Sequence, residues 1–507
     1  MGVRTLQAIK GTATSLLQYS LQILWQILLS PLILKMAGQE TLGAYSMVMQ
    51  VVGCRIILDF GLSVSVNRSM AFYSGKHSPE LFDNAFKAGR MFLAISNALA
   101  GSVLIGAAFL LPKLFSLSTD IGFDFKASLL LFGCWTLIRG PIIIYQSALV
   151  ARQNMASANV VAIVGNATRI FLSLALVSAG FGLTGLIFSA VVAEVFGDLL
   201  NRAIYLREYK HPGKWGVSAS GEIFKEITSL GVQYWLVNLA FLYFYSNDSL
   251  IVGYLFGAAA ASVYFTTKLP AFFAFQLAFK LSDNSASAIS ELLASGNIQR
   301  LRVIYLKLLR YSLLVGVPLA IGILCFNKSI ISLWVGPAQY AGEYMSAGLA
   351  LFAVTQILTH LNAAFMVASG NLCKWPLLAA GMAGVGFLLS ILLGKNFGPQ
   401  GVFIGIVLAD IPLFYYLFRS ATLLLGVNLR EVVTEGLGAI YGVVVPLVFV
   451  GMLAKFFFLD SLLLRAIVIP GLFVVSWVIL AYTVGLRSSE KHAVCELFKW
   501  KLCASSQ

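Results

Sequence analysis

The chain has 507 residues, of which 59% are hydrophobic and only 11% charged, with a mean hydropathy of +0.87 and a formal charge of +14. That composition excludes an ordinary soluble enzyme and reads as a polytopic membrane protein. The positive charge would suggest nucleic acid in a soluble protein, but here the sidedness of Lys and Arg around membrane spans explains it, and no nucleic-acid partner is expected.

The first long apolar run covers 12–36, long enough to cross a bilayer and too long for a signal-peptide core, so it reads as an uncleaved span. It carries Thr14, Gln18, Gln22 and Gln26 at every fourth position, which places a polar ladder on one helical face. Unpaired amides in hydrocarbon cost several kcal/mol, so this ladder must face protein or a wet cleft. Further apolar windows follow at 42–66, 88–111, 127–150, 156–180 and 183–206. A second series lies at 231–253, 256–281, 311–334, 343–368, 374–395 and 400–425, and a last pair at 436–459 and 463–486. The total is about fourteen spans. The segment 216–230 is expected to lie laterally as an amphipathic helix. The tail from Ser488 gathers Val494, Leu497, Phe498 and Leu502 on one face, as either a helix on the inner leaflet or a solvated tail.

Only Lys35, Lys113, Lys126, Lys328, Lys395, Lys455 and Arg465 fall on one side of the alternating loops, while the remaining loop lysines and arginines fall on the other. The positive-inside bias and an even span count therefore place both termini in the cytoplasm. The six cysteines have no metal-ligand spacing and read as packing residues.

An internal repeat organises the chain. Gly38 and Tyr45 reappear as Gly257 and Tyr264, and Val150-Ala151-x-x-Asn154 reappears as Val367-Ala368-x-x-Asn371. Phe181-Gly182-x-x-Gly185, continuing to Val191-x-Ala193-Glu194, reappears as Phe397-Gly398-x-x-Gly401, continuing to Val407-x-Ala409-Asp410. Six spans per repeat give both halves one orientation, with a cleft expected where the two bundles meet. The fold class is all-α, with two six-helix lobes at 1–210 and 211–428 and an additional pair of spans with the tail at 429–507.

Ionisable residues inside the predicted spans are the functional candidates, because a central charge costs about 2.5 to 3.5 kcal/mol unless it is paired or wet. Arg55 and Asp59 share one helical face and either neutralise each other or contact substrate. Arg139, Arg169 and Lys268 have no acid nearby in sequence and are placed in the cleft. Glu194 and Asp410 occupy equivalent repeat positions and either cap a broken helix or handle a proton or sodium ion; Asp59 and Asp248 are further ion-coupling candidates. His360 reads as a satisfied core histidine. Tyr234, Asn238, Tyr245 and Asp248 lie on one face of the seventh span, where amides and phenols suit a glycan or simple interhelical bonds. Arg139-x-Pro141, Lys268-x-Pro270 and Asp410-x-Pro412 put prolines beside mid-span charges, as hinges would. No Walker A loop, H-E-x-x-H or G-x-S-x-G is present, so no enzyme, metal or cofactor is expected, and Na+ or H+ gradients supply the energy.

Pro31-Leu32-Ile33-Leu34, Gly38, Gly43-x-Tyr45, then Leu58-Asp59-Phe60-Gly61-Leu62 with Arg68 beyond, resemble the opening of Wzx-type polysaccharide flippases. These belong to the multidrug/oligosaccharidyl-lipid/polysaccharide (MOP) exporter superfamily. The resemblance covers about residues 1 to 425 and implies two lobes working by alternating access in a bacterial inner membrane. Its substrate would be an undecaprenyl-pyrophosphate-linked oligosaccharide for O-antigen or exopolysaccharide assembly. It also implies membrane lipids and polysaccharide polymerase or assembly proteins as partners, and a monomer. Arg55, Arg139, Arg169 and Lys268 would hold the pyrophosphate, and the added spans after 435 would form a groove for the lipid tail. Two other readings stay open: a cation-coupled multidrug exporter that uses the acids, and a lipid II flippase.

Overall fold

The structure, a computed structural model, describes residues 3–76, 78–115, 117–152, 154–209, 221–294, 296–369, 374–456, 464–488 and 490–491. Every regular element among them is helical. In chain order these are α1 (Val3–Ala37), α2 (Gln39–Gly53), α3 (Arg55–Leu58), α4 (Leu62–Gly75), α5 (Pro79–Leu114), α6 (Thr119–Ala151), α7 (Met155–Ser178), α8 (Gly182–Tyr209) and α9 (Gly221–Ser246). They continue as α10 (Asp248–Phe256), α11 (Ala258–Ala294), α12 (Ile298–Trp334), α13 (Glu343–Ala368), α14 (Trp375–Phe397), α15 (Pro399–Leu425), α16 (Leu429–Glu431), α17 (Gly438–Phe456) and α18 (Ile469–Leu480). Among the described residues, eleven helices are long and apolar enough to cross a membrane. The segments expected as spans seven, eight and thirteen are helical but fall outside that set.

The chain forms two compact units, one of residues 1–265 with 376–402 and the other of 266–375 with 403–507. In the first unit the expected span 42–66 is not one helix. It breaks at Cys54 and again at Asp59–Gly61, where Phe60 and Gly61 both adopt positive φ. Glycine takes that conformation without steric cost. It also lets α4 and α9 touch, since a Cβ on Gly61 would lie 2.2 Å from the Gly231 carbonyl oxygen.

The expected lateral helix at 216–230 is not separate. Its described part, from Gly221, is the opening of the continuous helix α9, because Gly221–Ser246 carries no interruption. Residues 216–220, most of the tail from Ser488, and Asn371 of the repeat motif lie outside the described residues. The seventh span breaks at Asn247, so Asp248 begins a new helix and is not on a face continuous with α9.

The repeat is visible in backbone geometry. Gly38 turns the chain into α2 at φ 87°, ψ 172°, and Gly257 turns it into α11 at φ 85°, ψ 171°. Both glycines sit where any other residue would be strained. Past the first turn, Gly43 meets the Ala258 backbone so closely that a Cβ would lie 1.7 Å from its carbonyl oxygen. Gly43→Ala is therefore expected to destabilise the protein by about 1–3 kcal/mol, the usual range for overpacking. A fall in the thermal unfolding midpoint in detergent would register it, and an unchanged midpoint would show that the two backbones can separate freely.

In the second unit, α12, α13 and α17 share a core with α18. Tyr305 meets Phe365 edge-on at 5.1 Å between centroids, Phe326 meets Phe473 at 5.3 Å, and Trp477 Nε1 donates to the Leu314 carbonyl at 2.8 Å. The added C-terminal helices are thus joined to the repeat by an indole hydrogen bond as well as by apolar packing. Asn428 and Glu431 form a capping box, and Glu431 also pairs with Arg302. Arg310 pairs with Glu490 near the end of the described chain.

Candidate functional site

The first unit contains a partly buried ion network. Arg55, the first residue of α3, sends Nη2 to Glu194 Oε1 at 2.7 Å and Nη1 to Oε2 at 3.2 Å. Arg139 on α6 reaches the same Glu194 through Nη1 at 3.0 Å and Asp198 through Nε at 2.6 Å. Glu194 and Asp198 are one turn apart on α8, so both face the same guanidinium. Arg169 on α7 acts electrostatically on Glu194 and donates from Nη2 to the Tyr45 hydroxyl at 2.6 Å. Two of these guanidinium groups pair with the two carboxylates, and Arg169, which acts on Glu194 only electrostatically, leaves one positive charge over. Arg139 and Asp198 are 11% and 4% exposed, whereas Arg55 and Glu194 are each 26% exposed and can be reached.

This differs from the expected pairing at Arg55. The break at Cys54 and at Asp59–Gly61 turns the Arg55 side chain to α8, and Asp59 accepts instead from Ser63 N at 3.1 Å and Ser63 Oγ at 2.8 Å. Arg139 has acids close in space although none is close in sequence. Asp198, absent from the sequence candidates, was signalled only by its spacing of one turn from Glu194.

The equivalent positions of the second repeat make the same helix-to-helix contact without a guanidinium. Asp410 on α15 is fully buried and accepts from Gln356 Nε2 at 2.6 Å, while Thr355 Oγ1 lies 2.5 Å from its other oxygen. Gln356 stands where Arg139 stands in the first repeat, and Asp410 stands where Glu194 does. Neither acid caps a broken helix, since both lie inside uninterrupted helices. Thr355 Oγ1 also lies 3.1 Å from the Phe352 carbonyl. A hydroxyl has one proton, so it can donate to the carbonyl or to Asp410 but not to both. When it donates to the carbonyl, Asp410 must carry the proton that fills the 2.5 Å contact.

The other candidates are dispersed. Asp248, buried at the start of α10, accepts from Gln50 Nε2 at 3.1 Å and from the Tyr264 hydroxyl at 3.1 Å. Lys268 in the second unit is buried, with Nζ 4.4 Å from the Phe272 ring centroid. Gln18 and Gln26 are half-buried and Gln22 is exposed on α1, with Thr14 accepting from Asn159 Nδ2 at 3.0 Å. Asn238 is half-buried, Tyr245 stacks on Phe241 at 4.6 Å, and the Tyr234 side chain lies outside the described residues. His360 is not a core residue: it is a third exposed, stacks on Phe279 at 4.2 Å and bonds Asp283 through Nε2 at 2.8 Å. Burial raises the Asp283 carboxyl, but His360 and Lys280 outweigh it and hold the group below the usual carboxylate range. Pro141, Pro270 and Pro412 each lie inside a helix that continues past them.

An apolar cavity of about 170 Å³ in the second unit is lined by Pro270, Pro318, Phe326, Pro470, Phe473 and Trp477, so α18 supplies part of its wall.

A family model described as "Polysaccharide biosynthesis protein" matches residues 125–341. No curated protein sequence matches. Among solved structures, the lipid II flippase MurJ in an inward closed conformation has a TM-score of 0.69 at 14% identity, over 93% of this chain and 98% of that one. An inward-facing multidrug resistance MATE family transporter of the MOP superfamily has a TM-score of 0.64 at 16% identity, over 84% and 95%. A MOP superfamily transporter from Pyrococcus furiosus, described as having a binding pocket of reverse polarity, has a TM-score of 0.58 at 16% identity, over 84% and 96%. The chain has the fold of these MOP superfamily transporters, and residues 125–341 match a polysaccharide biosynthesis family, in keeping with the resemblance read from the sequence.

Proposed function

We propose that this multi-pass membrane protein is an alternating-access flippase that carries undecaprenyl-pyrophosphate-linked oligosaccharide units across a bacterial cytoplasmic membrane. The units would serve cell-surface polysaccharide assembly, and both termini would lie in the cytoplasm, as the positive-inside bias requires. The observation that carries the reading is the arginine surplus of the buried network. Arg55, Arg139 and Arg169 exceed Glu194 and Asp198 by one charge, and an uncompensated cation in a low-dielectric interior favours an anion. A pyrophosphate linker matches that demand, and guanidinium groups bind phosphate oxygens in pairs. The polysaccharide family match over 125–341 includes Arg139, Arg169, Glu194 and Asp198. The apolar cavity beside Phe473 and Trp477 suits part of the polyprenyl tail. Asp410, with its proton-sharing contact to Thr355, is the coupling group in this reading.

Flipping of a fluorescent undecaprenyl-pyrophosphate oligosaccharide in proteoliposomes tests the proposal. Arg55→Ala removes a guanidinium more accessible than that of Arg139 and is expected to reduce the initial rate by ~10-fold or more, the effect of losing one charge-assisted contact of about 1.5–3 kcal/mol. Efflux of a cationic dye instead, undiminished by Arg55→Ala and lost in Asp410→Asn, would favour the multidrug reading. The buried Asp410 with only neutral partners among the described residues keeps that reading specific.

A further inference from the structure

A second cationic site lies where α4, α5, α6 and α8 end or begin in the first unit. Arg152, just past the end of α6, lies over three aromatic rings: Phe82 at 4.4 Å, Tyr209 at 4.5 Å and Tyr205 at 5.9 Å from the guanidinium carbon. The rings are themselves packed, with Tyr205 against Tyr209 at 5.2 Å and against Tyr145 at 5.5 Å. Arg152 lines a cavity of about 370 Å³ together with Tyr73, Ser74, Ser78, Phe82 and Tyr209.

Unlike Arg55, Arg139, Arg302 and Arg310, Arg152 takes part in none of the ion pairs among the described residues, and its Nε is buried with no hydrogen-bond partner there. Two acids lie beside the same rings without an ion pair to Arg152: Glu208, on the same end of α8, accepts from Asn154 Nδ2 at 2.6 Å and acts on Tyr209, and Asp83 acts on Tyr205. An aromatic cage holds a cation in place without neutralising it, whereas a carboxylate would quench it. The cavity also receives the start of α5. Ser78 is its N-cap residue and makes no side-chain cap bond, and Pro79 follows it. The positive end of a 36-residue helix therefore faces the same space as the guanidinium. Arg90 and Arg202, each about 6 Å from the Tyr145 ring, add to the positive field.

We infer that the Arg152 pocket binds a phosphate group, carried either on an anionic phospholipid headgroup or on a small soluble phosphate. The Ser74 hydroxyl supplies a further donor, Ser78 can turn its own away from the Lys76 carbonyl 3.5 Å off, and the cavity admits a headgroup rather than a whole glycan. The site uses none of the arginines of the transport network and stands whether or not that network carries a glycan.

The test uses the full chain in nanodiscs. One arm compares phosphatidylcholine with phosphatidylcholine containing phosphatidylglycerol, and the other adds inorganic phosphate to phosphatidylcholine alone. Native mass spectrometry and the unfolding midpoint are read in both. Retained phosphatidylglycerol, or a midpoint raised by phosphate, that falls ~10-fold in affinity in Arg152→Ala supports the inference and identifies the source. Ser78→Trp fills the cavity while leaving the cation, and must abolish the same binding; it decides the matter if Arg152→Ala does not fold. Binding in neither arm, or binding that survives both substitutions, overturns it. Flipping activity is not the readout, so failure of the flippase reading would leave this result standing.

Discussion

Replacing Arg139 by Gln together with Asp198 by Asn is expected to leave stability within about 1 kcal/mol of the parent while cutting transport of the pyrophosphate-linked substrate at least ~10-fold. The second repeat supplies the reason. Gln356 and Asp410 occupy the positions of Arg139 and Glu194, and an amide fills that contact with a 2.6 Å bond in a fully buried setting. An amide at 139 can therefore bond Glu194 in the same manner, and Arg55 still neutralises Glu194. Asp198→Ala alone should behave differently. It leaves Arg139, only 11% exposed, with half its compensation, and removal of one partner of a buried pair costs about 3–5 kcal/mol. Thermal unfolding in detergent separates the two outcomes, and the transport assay then isolates the role of the Arg139 guanidinium, since the net charge of the network is unchanged. A double variant that transports normally would make the Arg139–Asp198 pair structural.

Asp410→Asn is expected to fold and yet to lose at least ~10-fold of the transport driven by an imposed pH gradient. Asn reproduces the protonated form of the contact: its oxygen accepts from Gln356, and its NH2 donates to Thr355 Oγ1, which keeps its own proton on the Phe352 carbonyl. The variant is thus held in one state of a two-state site. Proteoliposomes with a pH jump, repeated with a sodium gradient and no pH difference, give the measurement. Unchanged proton-driven transport would remove Asp410 from coupling, and a loss seen only with sodium would change the ion.

The sequence carried the membrane class, the repeat and most of the helices, because span length and apolar content are local properties. It also marked Gly38 and Gly257 as equivalents, and the backbone there agrees to within a few degrees. The break around Arg55 was not legible. Apolar residues run through it, and what stops the helix is the positive φ of Phe60 and Gly61 together with the close approach of Gly231, a contact across many residues. That break redirects Arg55 from Asp59 to Glu194. Asp198 was missed because its role depends on Arg139 from another helix, although its one-turn spacing from Glu194 was in plain view. His360 was misjudged for the same kind of reason, since Asp283 and Phe279 reach it from α11.

Equilibrium binding of a pyrophosphate-bearing polyprenyl lipid to the purified protein in nanodiscs tests the arginine surplus most directly. The affinity should fall at least ~10-fold in Arg55→Ala, which removes the surplus charge, and should weaken with salt, as charge-dominated binding does. Equal affinity in the parent and Arg55→Ala, unaffected by salt, would contradict it.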